Sequence, residues 1–466
     1  MNAADRLVAH LQSHDFDTLP PAVVEAAKVF ILDAFGVGIA GSRHPRMAQV
    51  RQAMRALGTG DAATVWGSGE TLPWAQAVLT NAYQVFNQEF DCIHDAAVVH
   101  AMASLLPACM GYAQAYGGVS GRELIAAVTL GLDVAIFVAL AQRAPMRFFR
   151  PAMCGALGAT AALAKLARLD ANQTRDALGL AYSHLSGTMQ AHVEGSPAVS
   201  MQVGFNARAA ITAFELARAG FPGPRDILEG PFGYFALYDF GQADWASVQG
   251  EIGQVFQITR MSHKPYPSGR ATHGGIEGVL QLMQRHGFEP DAVDSVQVFA
   301  SALVVRLVGR AATPDMDPGY ARLCMAYTVA TVLLTGDLRL QDFDEAALRD
   351  TRRLALAQRV RLIDNANPDP NAIGGPQHVV VMLKDGTCHE LAIKQLLGHP
   401  QRPLSLREQE LKFERCCTAA VPPLPQRQCR ELASMLRRLE EVGDVRALAA
   451  ASTPAGAAAI RRHSAV

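Results

Sequence analysis

The side chains of this chain whose types and spacing can do chemistry fall in three short stretches. The first is Glu89-Phe90-Asp91-Cys92-Ile93-His94-Asp95, followed by Val99-His100. A carboxylate beside an imidazole orients the ring and raises its basicity, as general acid/base work requires, so Asp91 and His100 are the first candidates. The competing reading is a short polar surface turn. A cluster of Asp and His can also ligate a metal, but no second ligand pair stands at a diagnostic spacing.

The second stretch runs Ser262-His263-Lys264-Pro265-Tyr266-Pro267-Ser268-Gly269-Arg270-Ala271-Thr272-His273-Gly274-Gly275. Pro265 and Pro267 fix their own φ and push the residues before them out of the α region. The glycines permit close approach of a substrate or a neighbouring backbone. Cations on a loop stiffened in this way suit carboxylate recognition, because part of the ordering cost is met in advance. Lys264 can pair with a substrate carboxylate or, if desolvation lowers its pKa, donate a proton. Arg270 lies on the same loop. His273 either contacts substrate or braces the helix that follows. A solvated basic loop is the alternative for the whole stretch. The third stretch holds Gln190, His192 and Glu194. On an extended segment these alternate residues would face one way and supply an acid or base. A hydrogen-bonded loop between domains explains them more simply, since a polar loop needs no active site.

Helices and a small sheet must position these groups. From about Pro21 to Phe240 the apolar spacing predicts a succession of helices. Gly36, Gly38 and Gly41 allow close packing or a turn. Gly155 to Leu166 is rich in alanine, Asp170 and Asn172 are candidate caps for a helix over Gln173 to Ser183, and Ala207 to Ala219 is amphipathic. Gly220-Phe221-Pro222-Gly223-Pro224 ends that helix. After Gly275 the texture changes. A helix to His286 leads to Val293–Phe299, which partly alternates like a strand. Tyr327 to Leu334 reads as a helix or buried segment, and Arg359 to Leu362 alternates again. Val379–Leu383 and Cys388–Ile393 flank the turn Lys384-Asp385-Gly386-Thr387. Leu404 to Phe413 and Cys429 to Val442 return to helical spacing, and the alanine-rich tail from Ala447 reads as frayed.

The bulk properties narrow the function. The 466 residues suffice for two or three domains, and half of them are hydrophobic, which predicts a large core. A net charge of −1 gives no electrostatic case for nucleic acid or an anionic membrane. No apolar run reads as long and charge-free enough to span a bilayer, and the first residues lack a secretory pattern, so a cytoplasmic protein is expected. The 8 cysteines form no CxxC pair and no zinc spacing; Cys92, beside acidic and histidine residues, is the one to watch. Neither a P-loop nor a GxGxxG after a credible strand is present.

Several segments, in order, resemble the MmgE/PrpD family. They are Ile31 to Gly41, Asn81 to Pro107 with Glu89 to Asp95 and His100, Gly220 to Pro224, Leu228 to Phe235, the Lys264 to His273 string, Gly398-His399-Pro400, Pro403-Leu404-Ser405 and Lys412-Phe413. Each is weak alone; the ordered set is specific. The resemblance implies a mainly α fold: a large all-helical domain over residues 1–265, completed by 400–450, and a smaller α+β lid over 266–399, with 451–466 as a tail. It also implies a homodimer and no cofactor. Family members, among them 2-methylcitrate dehydratase, cis-aconitate decarboxylase and iminodisuccinate epimerase, act on small di- and tricarboxylates. Their reactions share the development of negative charge at a carbon near a carboxylate. Asp91, His100 and Lys264 match family active-site positions.

This chain also departs from the family. In Phe148-Phe149-Arg150-Pro151-Ala152, Arg150 stands where many members have histidine. Arginine cannot readily act as a base but binds carboxylates well. The run Val199 to Gly204 lacks a family lysine, Phe86 replaces a frequent histidine, and Cys92 a frequent aspartate. The expectation is therefore a cofactor-independent lyase of a small di- or tricarboxylate, most simply a hydro-lyase. Asp91, His100 and Lys264 would be catalytic, and Arg150, Arg270, His273 and His192 would bind substrate, with no metal. An epimerase, isomerase or decarboxylase is the close alternative. A non-catalytic carboxylate-binding protein is the alternative of another class.

Overall fold

The computed structural model describes residues 2–367 and 372–454. Most of the helices gather in one lobe. Its centre is built from α1 (Pro21–Gly41), α2 (Trp74–Phe86), α3 (Met102–Tyr116), α4 (Gly121–Leu140), α5 (Arg150–Leu166) and, after the short α6 (Gln190–Glu194), the long α7 (Ala198–Arg218). These segments are helical because alanine and leucine dominate them and clear caps start them. Ser120 and Asp170 each close a capping box, with Glu123 and Gln173 as the third helical residues. The helix starting at Ala198 begins before its predicted amphipathic part, and its first turns set buried Val199 and Val203 among half-buried Ser200, Met201 and Gln202.

Small residues decide how closely these helices approach. A methyl group on Gly131 of α4 would lie 2.6 Å from the Gly158 carbonyl of α5, and one on Gly41 of α1 would lie 2.1 Å from the Gln84 carbonyl of α2. Contrary to the sequence expectation, one apolar segment is long enough to cross a membrane: α4 has a mean hydropathy of 2.2. Its window is 89% buried inside the protein, so the apolar surface faces other helices. Asp133 in its middle accepts from Gln257 N at 2.7 Å and pairs with His10 Nε2 at 2.9 Å.

The second lobe is α+β. Among the described residues its sheet has four strands, β1 (Val293–Ala300), β2 (Val360–Asp364), β3 (Gln377–Leu383) and β4 (Cys388–Ile393), in the order β2-β1-β3-β4. The hairpin β3–β4 is antiparallel and β1–β2 is parallel. Strand β3 alternates buried and half-buried residues along its whole length, whereas β1 breaks step between Val293 and Ser295, which accounts for its imperfect pattern. Helices α8 (His273–His286) and α9 (Met325–Thr335) cover one face. Gly275 and Gly278 of α8 let it sit against Val329, Val298 and Val379.

The chain then returns to the helical lobe through α10 (Leu406–Ala419) and α11 (Gln426–Arg437), which pack on α1. The tail is ordered further than its composition predicts: Arg446–Ala451 is helical, with Leu448 and Ala449 buried. The tail expected to fray lies, from residue 455 on, outside the described residues.

Candidate active site

The segment between α2 and α3 forms the centre of the site. It leaves α2 in an unusual path: Glu89 has φ 49° and Val98 φ 53°, both left-handed. A β-branched residue there is a steric outlier, and such strain persists only when the surroundings over-determine it. The surroundings do so here. His94 Nδ1 accepts from Ala97 N at 3.1 Å, which fixes the tautomer, and its Nε2–H donates to Gln257 Oε1 at 3.2 Å. Burial lowers the His94 pKa to about 4, so it is a neutral brace. Ile93 and Ser262 exchange two backbone hydrogen bonds, 3.0 and 2.7 Å, and so tie this segment to the Lys264 loop.

Asp91 and His100 come together as the sequence suggests. His100 Nδ1–H donates to Asp91 Oδ2 at 3.0 Å, and both residues are buried. A carboxylate only accepts, so the bond leaves the Nε2 lone pair available. The Phe86 ring meets His100 edge-on at 5.1 Å and holds its plane. Lys264 is fully buried, which rules out the solvated-loop reading. Its Nζ donates to Glu89 Oε2 at 2.9 Å and lies 3.7 Å from Asp91 Oδ1. From below, Lys412 of α10 donates to the Phe90 carbonyl at 2.8 Å and pairs with Asp33 of α1 at 2.6 Å. Burial raises the Asp33 pKa, and Lys412 opposes that rise.

Of these groups Phe86, Glu89 and His100 line a narrow cleft of about 50 Å³ between the helical lobe and the sheet lobe. Among the described residues, Glu89, His100, His192 and Arg270 are the polar ones that line it. The rest of the wall is mainly apolar, including Phe86, Met146, Phe149, Met189, Leu307 and Val308. Arg270 grips Asp95 with two parallel bonds of 3.1 Å and gives Nη1 to the carbonyls of His263 and Leu397. It is therefore first a clasp between the two lobes.

Other expected site residues sit differently. Arg150 is buried behind the cleft wall, with Nη1 donating to the Ala97 carbonyl at 3.2 Å and Nε without a partner. His273 begins α8 and does not line the cleft. Its Nε2–H donates to the Ser268 carbonyl at 3.2 Å, and burial holds its pKa well below normal, which is the bracing role. His192 does line the cleft, but Gln190 and Glu194 are exposed and hydrogen-bonded to each other. The three occupy a helical turn and not an extended segment, so they do not share a face. Burial, reinforced by Arg310, lowers the His192 pKa to about 4. Burial likewise pushes the Cys92 thiol well up, which leaves it a small hydrophobe. Among the described residues no group of three or more His, Cys, Asp or Glu is arranged to hold a metal ion.

Sequence reasoning missed Glu89 as a site residue. Its signal was its place two residues before Asp91 in an acidic motif; its left-handed φ, which turns it to the cleft, was not readable. Lys412 was seen only as part of a motif, because nothing local indicates that it reaches under the site from a distance of more than 300 residues along the chain.

Comparison with known proteins agrees with this architecture. The MmgE/PrpD N-terminal domain model matches residues 5–247 and the MmgE/PrpD C-terminal domain model residues 266–438. The chain is similar to cis-aconitate decarboxylase of Mus musculus, 25% identical over 439 residues, covering 91% of this chain and 88% of that protein. The Homo sapiens cis-aconitate decarboxylase is 24% identical over 436 residues, with 91% and 89% covered. The cis-aconitate decarboxylase-like protein oryM of Aspergillus oryzae is 27% identical over 400 residues, with 80% and 82% covered. With two lobes, a cleft between them and both domain models matched, this chain belongs to the MmgE/PrpD family.

Proposed function

We propose that the protein is a lyase that needs no cofactor and removes a proton from a carbon next to a carboxylate of a small organic acid. The observation that carries this reading is the buried His100–Asp91 pair, 3.0 Å apart, at the wall of the cleft. His100 Nε2 takes the proton from carbon. Asp91 keeps the ring in the required tautomer and stabilises the imidazolium that forms. The electron pair left on carbon becomes a double bond as the neighbouring carbon–oxygen bond breaks. The hydroxyl leaves as water with a proton relayed from Lys264 through Glu89, whose carboxylate faces the cleft. Arg270 has a fifth N–H left after its four bonds, and that hydrogen orients the substrate carboxylate.

The relatives' names favour a second reading, decarboxylation, in which a carbon–carbon bond breaks, carbon dioxide leaves, and His100, protonated from solvent, gives its proton to the carbanion. An epimerase would use the same base without a leaving group. Incubation of the purified protein in D₂O with citrate, 2-methylcitrate, cis-aconitate, malate, 3-propylmalate and iminodisuccinate, followed by NMR, separates these readings. A new olefinic signal without carbon dioxide release indicates the hydro-lyase, carbon dioxide release the decarboxylase, and deuterium exchange alone the epimerase. No exchange and no product with any acid of the panel, or undiminished turnover in His100→Ala, would overturn the proton-transfer assignment.

A further inference from the structure

The wall of the cleft speaks to which acid it takes. A substrate with three carboxylates needs three sets of unspent cationic donors, because a carboxylate set against apolar side chains without a partner is strongly disfavoured. The cations at the cleft are largely spent. Lys264 serves Glu89 and Asp91, and Arg270 uses four of its five N–H groups on Asp95, His263 and Leu397. The carboxylates Glu89, Asp91 and Asp95 outnumber these two cations by one. Arg150 lies behind the Ala97 carbonyl and does not line the space. Among the cations that line the cleft one donor retains capacity, the last N–H of Arg270; Nη1 of Arg310 and Nε of Arg150 also lack partners, but neither residue lines the cleft.

Most of the rest of the lining is carbon. Phe86 and Phe149 stack edge to face at 5.8 Å, and Met146 and Met189, both half-buried, stand across from the sheet-lobe residues Leu307 and Val308. Methionine and phenylalanine at a cleft wall recognise methylene groups, not charge.

We propose that the acid taken by this cleft carries no more than two carboxylates together with an apolar substituent of a few carbons, which packs on Phe86, Met146, Phe149 and Met189. The inference rests on the reading of the cleft as the site of proton transfer and narrows it to an alkyl-substituted acid.

Isothermal titration of the full chain with unreactive acids tests it by binding alone. The probes are succinate, methylsuccinate, propylsuccinate, pentylsuccinate and the tricarboxylate tricarballylate. Affinity is expected to rise about fourfold for each methylene that enters the cleft. Tricarballylate is expected to bind more weakly than propylsuccinate. Met146→Gln and Met189→Gln, at half-buried positions that tolerate the change, are expected to cut the gain per methylene to less than twofold. Tricarballylate binding as tightly as propylsuccinate, an affinity that is flat or falls with chain length, or no binding by any probe would overturn the proposal. Chain-length-dependent binding in a protein that shows no exchange in D₂O would leave this proposal standing and remove the proton-transfer reading.

Discussion

A histidine becomes a useful base when its tautomer is set and its conjugate acid is stabilised, and Asp91 does both for His100 through one 3.0 Å bond. The two residues therefore act as a unit. On the proposed reading, His100→Ala removes the base and is expected to lower kcat by about 10²–10⁴-fold. Asp91→Asn keeps an acceptor for Nδ1–H but not the charge, and is expected to lower kcat by about 10²-fold or more with little change in KM. Circular dichroism and the thermal midpoint should show both variants folded, and steady-state kinetics on the substrate found by the D₂O screen reads the loss. The alanine variant retaining more than a tenth of wild-type kcat would exclude His100 as the base. At this scale the sequence was informative. Asp91, His100 and Lys264 stood out by type and spacing, and the structure brings them together. Arg150 was expected at the substrate and lies elsewhere, and His273 takes the bracing role of its two readings, because the direction in which a side chain points depends on packing that no local pattern records.

The elements that hold the site are joined at few points. Asp95, on the segment between α2 and α3, is gripped by Arg270 from the loop that leads into α8, and Ser262 Oγ donates to the same carboxylate at 2.9 Å. Removal of one member leaves the other charge buried without a partner. Asp95→Ala is accordingly expected to cost about 3–5 kcal/mol of stability, measured by urea unfolding. A change below about 1 kcal/mol would mean that the pair contributes little to joining the lobes. The elements themselves were legible. Capping residues, alanine-rich runs and the Lys384–Thr387 turn predicted several helices and the β3–β4 hairpin, since these depend on neighbours in sequence. The Gln190–Glu194 turn was misread because three polar residues at alternate positions fit a strand pattern while the backbone closes a single helical turn.

For the whole molecule, pH is a revealing variable. His44, His94 and His192 are buried neutral, with pKa values lowered from 6.5 to about 4, chiefly by burial. Each has its full stability contribution above the unfolded value near 6.5, and loses it as pH falls toward about 4, because only the unfolded chain then binds the proton. Between pH 7 and 5 each is expected to cost about 2 kcal/mol, so the thermal midpoint should fall steeply over that range. His94→Gln should flatten the fall. A midpoint unchanged from pH 7 to 5 would mean that these rings are not held neutral.

The sequence by itself determined the family, the two-part fold and the pairing of Asp91 with His100. Those rest on local propensity, ordered motifs and residue chemistry, all of which are written along the chain. Only the tertiary structure decided that Lys264 and Arg270 are largely spent on Glu89, Asp91 and Asp95, that Arg150 and His273 turn away from the cleft, and that α4 is the centre of a core. Burial and charge pairing are relations between residues far apart in sequence. They come into existence only when the two lobes close on each other and water leaves the space between them.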